Sequence, residues 1–147
     1  MSKNYIFKVT KRLRDANIAH RLLNYDGPCK NIHGHTYHFE VDISSNKLNK
    51  LGMVIDFNEI KKICDNWIQS NWDHSLIVCD QDIELKKLIN SISGGTKWFC
   101  FPKNTTAENM AAYLFSIFQK ELENFEVKLE EVRVWETETS IATYRGE

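Results

Sequence analysis

Residues 29–37 read Cys-Lys-Asn-Ile-His-Gly-His-Thr-Tyr, and apolar residues then alternate with polar ones as far as Ile43. This alternation predicts a β-strand. Successive side chains of a strand point to opposite faces, so the imidazoles of His33 and His35 share one face, roughly 6.5 to 7 Å apart along it. Both can therefore reach a single metal ion. A His-x-His pair can also be a hydrogen-bonded structural pair, so other ligands must decide between the two interpretations.

A third imidazole, His20, lies in a separate segment of the chain. Three protein ligands with one open position are typical of a catalytic zinc, whereas a structural zinc closes all four positions, mostly with thiolates. Cys29 lies outside the strand pattern, where a thiolate can face the open position. The pattern favours a metal site of His20, His33 and His35. His38, on the opposite face of the strand, is a poor ligand candidate.

Length and composition limit the possible classes of protein. The 147 residues contain no linker rich in Pro, Gly or Ser, which indicates one domain spanning residues 1–147. A formal net charge of -1 with interspersed signs predicts neither nucleic acid nor an anionic membrane as a partner. The first residues form no long apolar run, so we expect no signal peptide or membrane span and, by default, a cytoplasmic location. Cys64, Cys79 and Cys100 lie in apolar surroundings and predict buried thiols.

The first strand is predicted to be interrupted before the first histidine of the metal site. Apolar and polar residues alternate from Tyr5 to Leu13, which indicates a half-buried strand. His20 has the opposite parity to this apolar set, so a continuous strand would point its imidazole away from the core. We therefore expect a β-bulge or break between Leu13 and Ile18 that resets the register.

The remaining elements follow from periodicity and capping signals. Capping-box spacing marks two helix starts, at Asp56 with Glu59 and at Thr105 with Glu108. The elements predicted after the first strand are a strand at about 35–44, a helix at about 57–69, a short helix near 82–91, a turn at 94–95, a helix to about 122, and a hairpin of strands 126–136 and 140–145. In the first hairpin strand the apolar parity changes, so either both faces are covered or a second bulge is present.

The order β-β-α-α-α-β-β indicates an α+β fold in which an antiparallel four-stranded sheet carries helices on one face. Two long hairpins would leave exposed sheet edges. Association between copies of the chain would cover these edges.

Two acidic segments have alternative interpretations. Asp73 and His74 follow a predicted helix and form either a proton-transfer pair or an ordinary polar loop. Glu136 lies near the end of a predicted strand. Its carboxylate can either accept two hydrogen bonds from a guanidine-like ligand edge or face solvent.

Seven motifs of this chain occur in the same order as in a known family. They are Ala-His-Arg-Leu (19–22), Cys-x-x-x-His-Gly-His-x-Tyr (29–37), Gly-Met-Val-Ile-Asp-Phe (52–57), Asp-His (73–74), Thr-Ala-Glu-Asn (106–109), Glu-Thr (136–137) and Tyr-Arg-Gly-Glu (144–147). Together they resemble the 6-pyruvoyl-tetrahydropterin synthase family over nearly the whole chain. The chain departs from the family pattern before His20, where Ala16 occupies a position that is often aromatic and one residue is inserted.

The resemblance implies a tunnelling fold, in which sheets of several subunits join into a barrel. The expected assembly is a homo-hexamer of two trimers with active sites between subunits. The resemblance also implies Zn²⁺ held by His20, His33 and His35, with Cys29 as the general base. The resemblance further implies that His74, oriented by Asp73, transfers protons and that Glu136 binds the 2-amino and ring N–H edge of the pterin. Thr106 is expected to add a hydrogen bond to the pterin ring.

Three residues separate the cysteine from His-Gly-His, a gap that resembles the 6-carboxytetrahydropterin synthases of queuosine biosynthesis. The implied reaction is a lyase reaction that converts 7,8-dihydroneopterin triphosphate into 6-carboxy-5,6,7,8-tetrahydropterin, acetaldehyde and triphosphate. One alternative stops at triphosphate elimination and gives 6-pyruvoyl-tetrahydropterin, and another is aldolase-like cleavage of dihydroneopterin. An alternative from another class is a zinc-stabilised assembly module without catalysis.

Overall fold

The computed structural model describes residues 4–147, which contain one mixed sheet with helices packed on both of its faces. The strands are β1 (Phe7–Arg12), β2 (Ala16–His20), β3 (His33–Ser45), β4 (Ser75–Cys79), β5 (Trp98–Phe101), β6 (Lys128–Trp135) and β7 (Ile141–Tyr144). The helices are α1 (Phe57–Ile60), α2 (Asn66–Asn71), α3 (Ile83–Asn90) and α4 (Ala107–Leu122). A π-helical segment, Lys61–Asp65, joins α1 to α2, and a 3₁₀ turn spans Pro28–Lys30.

The long strand β3 organises the sheet. On one side it pairs antiparallel with β6, which pairs in turn with β7. On its other side β1 and β2 pair antiparallel with successive parts of β3. Two parallel pairs, β2 with β4 and β4 with β5, complete the seven strands. The prediction of an antiparallel four-stranded sheet is therefore wrong, because the sheet is larger and mixed.

The two additional strands also place a helix on the second face. Parallel neighbours need a crossover connection, and α3 lies in the chain between β4 and β5. Leu85 and Ile89 of α3 pack on Val78, whereas the adjacent Ile77 belongs to the main core beneath the other helices. Adjacent strand residues face opposite sides, so α3 covers the face opposite the main core. The prediction that all helices share one face is wrong for α3.

The predicted break before His20 is confirmed by the strand register. Arg12 lies opposite Glu40 and Ala16 lies opposite Tyr37. Residues 13–15 thus face only residues 38 and 39, so the first segment contains one extra residue. This bulge ends β1 and starts β2 with the reversed parity that turns His20 to the inner face of the sheet, the face that carries the main core.

A second bulge explains the change of parity in β6. Asp42 lies opposite Glu131, but Ile43 lies opposite Leu129, which leaves Glu130 without a partner in the ladder. Of the two interpretations of this strand, the bulge is the correct one.

The helix caps agree with the sequence at α1 and differ at α4. The Asp56 carboxylate accepts a hydrogen bond from Asn58 N, as expected of an N-cap. At α4 the cap is Thr106, whose Oγ1 accepts from Asn109 N, so the prediction of Thr105 as the cap is wrong by one residue. Thr105 turns its side chain toward β2 instead.

The cysteines and the helices test two further predictions. Cys64 and Cys79 are buried as predicted, but Cys100 is exposed on the outermost strand β5, so the buried thiol predicted there is wrong. Within residues 4–147 no helix combines the length and the apolar character needed to cross a membrane.

Candidate metal centre

Three imidazoles converge on the inner face where β2 lies beside the start of β3. The register pairs His20 with His33, and His35 follows two residues later on the same face. The ring centroids are 4.7 Å apart for His20 and His33, 4.8 Å for His33 and His35, and 5.4 Å for His20 and His35. One nitrogen from each ring lies within 4.8 Å of the others. The structure thus brings together the three histidines that the sequence singled out.

Backbone carbonyls determine which nitrogens are free to bind a metal. His20 Nδ1 lies 2.9 Å from Thr105 O, and His33 Nδ1 lies 2.6 Å from Asn31 O. A carbonyl oxygen only accepts, so in the neutral rings each Nδ1 carries the proton and each Nε2 keeps its lone pair. These second-sphere bonds are typical of histidines that bind metals through Nε2.

Two of the three converging Nε2 atoms lack a hydrogen-bond partner among the described residues. Among residues 4–147, buried Nε2 atoms of His33 and His35 have no hydrogen-bond partner. A buried polar atom left unpaired costs about 1–3 kcal/mol, so two of them side by side need an explanation. A cation bound to both would supply it. Zinc–nitrogen bonds are about 2.0–2.1 Å long, so one ion can hold all three nitrogens after a small inward movement of the rings.

Burial favours the unprotonated form of two of the three imidazoles, His20 and His35. The pKa of His20 is lowered to about 4. Burial is the largest cause and the neighbouring imidazoles add to it, whereas the hydrogen bond to Thr105 opposes the shift. Burial also lowers the pKa of His35. Metal binding requires the unprotonated imidazole, so this environment leaves the ligands ready to bind. The donor set of three imidazole nitrogens fits zinc.

Two further side chains border the same space. The Tyr37 hydroxyl lies 3.3 Å from His20 Nε2, and Glu136 Oε1 lies 3.6 Å from His35 Nε2. Burial raises the pKa of Tyr37, and the nearby side chains of Glu136 and Cys29 add to this effect. Both side chains therefore lie near the hydroxyl. Within residues 4–147 the group of potential metal ligands contains only the three histidines, which leaves room for a further ligand.

Cys29 lies in the 3₁₀ turn that precedes β3. Pro28 begins the turn, and the carbonyl of Cys29 accepts a hydrogen bond from Leu22 N at 2.8 Å. This bond ties the turn to the segment just after His20. The thiol is partly exposed, so it remains accessible to a ligand.

Asp73 and His74 do form a contacting pair. His74 Nδ1 lies 2.8 Å from Asp73 Oδ2, and Asp73 Oδ1 accepts from Asn17 N at 2.9 Å. Burial raises the pKa of Asp73, but these hydrogen bonds and the charge of Lys97 outweigh it and lower the pKa overall. Lys97 Nζ also donates to the Asp73 carbonyl at 2.6 Å. The carboxylate thus stays ionised and holds the imidazole.

The imidazole of His74 lies on the other side of the sheet from the three histidines. It borders a cavity of about 500 Å³ whose lining includes the outward-facing residues Asn17 and Thr36 and also atoms of Ile18 and His35. Its side chain is 75% exposed, and its backbone has a φ of 56°, which is unusual for a residue other than glycine. Strand parity therefore places the imidazole of His74 and the three converging imidazoles on opposite faces of one chain's sheet.

Thr106 caps a helix, and His38 forms contacts on the outer face of the sheet. The Thr106 hydroxyl accepts a hydrogen bond at the start of α4, and its proton remains available to a ligand. His38 Nδ1 contacts Asp15 and Arg12 on the outer face, away from the other imidazoles, as its parity predicts.

Sequence reasoning missed the roles of Thr105 and Tyr37 in this site. The parity of Tyr37 with His33 and His35 is visible in the sequence, and it could have signalled a position on the same face. The contact of Thr105 with His20 spans 85 residues, and no local pattern indicates it.

Comparisons with known proteins show what this chain resembles. The family model described as 6-pyruvoyl tetrahydropterin synthase matches residues 8–147. The 6-carboxy-5,6,7,8-tetrahydropterin synthase of Rickettsia typhi is 41% identical over 109 residues, which cover 74% of this chain and 78% of that protein. The protein of the same name from Haemophilus influenzae is 32% identical, covering 95% of this chain and 99% of its own length. The structure of Caenorhabditis elegans 6-pyruvoyl tetrahydropterin synthase aligns with a TM-score of 0.67 at 27% identity, covering 99% of this chain and 100% of that one.

Proposed function

Because this chain belongs to the 6-pyruvoyl tetrahydropterin synthase family, we propose that it is a zinc-dependent 6-carboxytetrahydropterin synthase. Its substrate would be 7,8-dihydroneopterin triphosphate, and its products would be 6-carboxy-5,6,7,8-tetrahydropterin, acetaldehyde and triphosphate. The relatives with this name and the short spacing from Cys29 to His33 support the choice within the family.

One observation carries the proposal: three imidazoles converge, and two of their buried Nε2 atoms have no hydrogen-bond partner among residues 4–147. His20, His33 and His35 would hold the zinc ion. When bound, zinc would act as a Lewis acid that polarises the substrate side chain and stabilises developing enolate-like charge.

The remaining side chains would bind the pterin and move protons. Cys29, which is partly exposed and lies near Tyr37, would act as a thiolate base that removes a proton from the substrate side chain. His74, held by Asp73, would exchange a proton at a second position. Glu136 would accept hydrogen bonds from the 2-amino group and ring N–H of the pterin, with Thr106 adding one more.

These roles require parts of two chains. The metal-binding face and the exposed His74 lie on opposite sides of the sheet within one copy, so a base at Cys29 and an acid at His74 would meet when a second copy supplies one of them. We therefore propose a homo-oligomer, a hexamer of two trimers by family resemblance, with active sites between subunits.

The closest alternative uses the same zinc site but ends at triphosphate elimination. The similarity to the structure of Caenorhabditis elegans 6-pyruvoyl tetrahydropterin synthase supports this alternative. The two reactions differ in one small product, because only the carboxy-forming reaction releases acetaldehyde.

A product assay tests the proposal directly. The purified protein would be analysed for metal content and then supplied with 7,8-dihydroneopterin triphosphate. We expect about one zinc per chain, and we expect 6-carboxytetrahydropterin, acetaldehyde and triphosphate in equal amounts. Triphosphate without acetaldehyde would establish the alternative reaction. Zinc without any turnover would support the assembly module and overturn the enzymatic proposal.

A further inference from the structure

We infer that Thr105 is a positioning residue for the metal centre, because its two oxygens hold the His20 imidazole in the tautomer and orientation that present Nε2 to the ion. The inference rests on the proposed zinc-dependent function and concerns a residue outside the set of ligands and proton-transfer groups. Both oxygens are within reach of His20 Nδ1, the backbone O at 2.9 Å and Oγ1 at 3.1 Å.

The hydroxyl of Thr105 can only accept from this imidazole. Its own proton is donated to the carbonyl of Arg21, with Oγ1 and the carbonyl oxygen 3.1 Å apart. Oγ1 therefore presents lone pairs to His20 Nδ1, and the backbone oxygen of Thr105 does the same. Two acceptors on one side of the ring favour a proton on Nδ1 and leave the Nε2 lone pair for the metal.

Thr105 is itself held in place by its neighbours. It is fully buried, and its N–H donates to Asn104 Oδ1 at 3.2 Å. The same amide oxygen accepts from Leu23 N at 3.0 Å, just beyond the end of β2. On the other side, Thr106 caps α4. Residues 104–106 thus connect the segment after β2 to the start of α4 through hydrogen bonds, and any movement of Thr105 would perturb both elements.

The three ligands depend on their second-sphere partners to different degrees. The partner of His33 is the carbonyl of Asn31, only two residues away, so β3 and its turn set that bond locally. His20 lies on a short strand directly after a bulge, and its partner comes from a distant part of the chain. Loss of that partner would let the His20 ring rotate or change tautomer.

Thr105→Val and Thr105→Ser separate the hydroxyl from the shape of the side chain. Valine keeps the shape but removes Oγ1, whereas serine keeps the oxygen. Zinc affinity would be measured for each full-length protein by competition with a chromophoric chelator at constant pH. We expect T105V to bind zinc about ten- to a hundredfold more weakly and T105S to stay within about threefold of the native protein.

A matched control removes another threonine hydroxyl far from the imidazoles. Thr10 Oγ1 donates to the buried Asp42 on the outer face at 2.6 Å. T10V should weaken folding but leave zinc affinity unchanged. The second readout is the ¹⁵N chemical shift of the His20 ring in metal-free protein, which distinguishes the two tautomers. We expect the proton on Nδ1 in the native protein. T105V keeps the backbone oxygen as one acceptor, so we expect the same tautomer to remain the major form there, with a measurable fraction of the other tautomer.

Each outcome bears on the inference in a defined way. Tight zinc binding by the native protein with an unchanged affinity in T105V would overturn the inference and leave the proposed function standing. A proton on Nε2 of His20 in the native protein would also overturn the inference. This measurement needs only the native protein, so it remains informative even when T105V does not fold. A native protein that binds no zinc would overturn the metal site itself. Weak binding in T105V, restored in T105S, would establish the positioning role.

Discussion

At the scale of single residues, Cys29 should affect catalysis but not folding. Its thiol is partly exposed in a short turn and lies outside the main core. If it removes a proton from the substrate, Cys29→Ala should lower turnover at least about a hundredfold, because general-base catalysis contributes on the order of 10²–10⁴-fold. Steady-state kinetics would give the loss, and metal analysis and thermal unfolding would show zinc content and stability near native values.

Cys100→Ala is the matched control for that variant. Cys100 is an exposed thiol on the outermost strand β5, and the proposed reaction does not use it. Its removal should leave turnover, zinc content and stability unchanged. Equal loss of activity in both variants, or loss of zinc in Cys29→Ala alone, would argue against a role as general base.

The cluster of three histidines could be predicted because the placement of its members is a local property. Parity along one strand places His33 and His35 on a common face, and the parity conflict at His20 required a bulge that the structure contains. Thr105 could not be predicted, because its contact with His20 depends on how α4 meets β2. Its hydroxyl matched a capping pattern that its neighbour Thr106 satisfies instead.

At the scale of elements, the bulge before His20 is anchored by the helical layer. Arg14 lies within the bulge, and its N–H donates to Asp65 Oδ1 at 2.7 Å while its guanidinium donates to Oδ2 at 2.6 Å. Asp65 is buried at the end of the π-helical segment. The N–H of Arg14, which the bulge removes from the strand pairing, therefore has a hydrogen-bond partner in Asp65. The same contact stabilises the bulge that reverses the parity of β2.

A second connection ties the end of β2 to α3. Arg21 binds Asp82 through two hydrogen bonds of 2.7 and 2.6 Å, and Asp82 also caps α3 by accepting from Leu85 N. The hydrogen bond from Arg21 lowers the pKa of the Asp82 carboxyl and outweighs the opposing effect of burial. The folded protein thus favours the ionised carboxylate more strongly than the unfolded chain does.

This pKa shift predicts a pH dependence of stability. A carboxyl with a lowered folded-state pKa stabilises the fold above its unfolded pKa of about 3.9, and this contribution is lost as the pH falls through the folded-state value. Asp82→Asn should therefore be less stable than the native protein at pH 6, and the difference should shrink as the pH falls below about 4. Urea unfolding of both proteins between pH 6 and pH 2.5 would measure it. A difference independent of pH would contradict the ion pair.

The elements with clear periodicity were the ones that could be predicted. The helix starting at Phe57, the helix ending at Leu122 and the terminal hairpin appear near their expected positions. Strands β4 and β5 escaped prediction because short apolar runs without alternation do not identify a strand by period. Their pairing with β2 is a tertiary event, and it is this pairing that places Asp73 and His74 beside the sheet.

At the scale of the whole molecule, one copy holds the proposed groups on two different faces. The three histidines lie on the inner face with Cys29 near Tyr37 of the same face, whereas His74 borders the cavity that the outward-facing Asn17 and Thr36 help to line. Side chains cannot exchange protons with one substrate through a hydrogen-bonded sheet. The proposed chemistry is therefore possible only if a neighbouring copy brings its His74 to the metal-binding face of the first.

Mixing two inactive variants tests this arrangement. Cys29→Ala and His74→Ala would each be inactive alone, and co-expression with distinct tags would yield oligomers that contain both. If every site combines Cys29 of one copy with His74 of the next, random assembly in a cyclic oligomer makes about one site in four complete, so about a quarter of native activity should return. If both residues come from the same copy, no site is complete and the mixture stays inactive. Co-expression of two Cys29→Ala chains with different tags is the control, because it contains the same interfaces but no complete site under either arrangement.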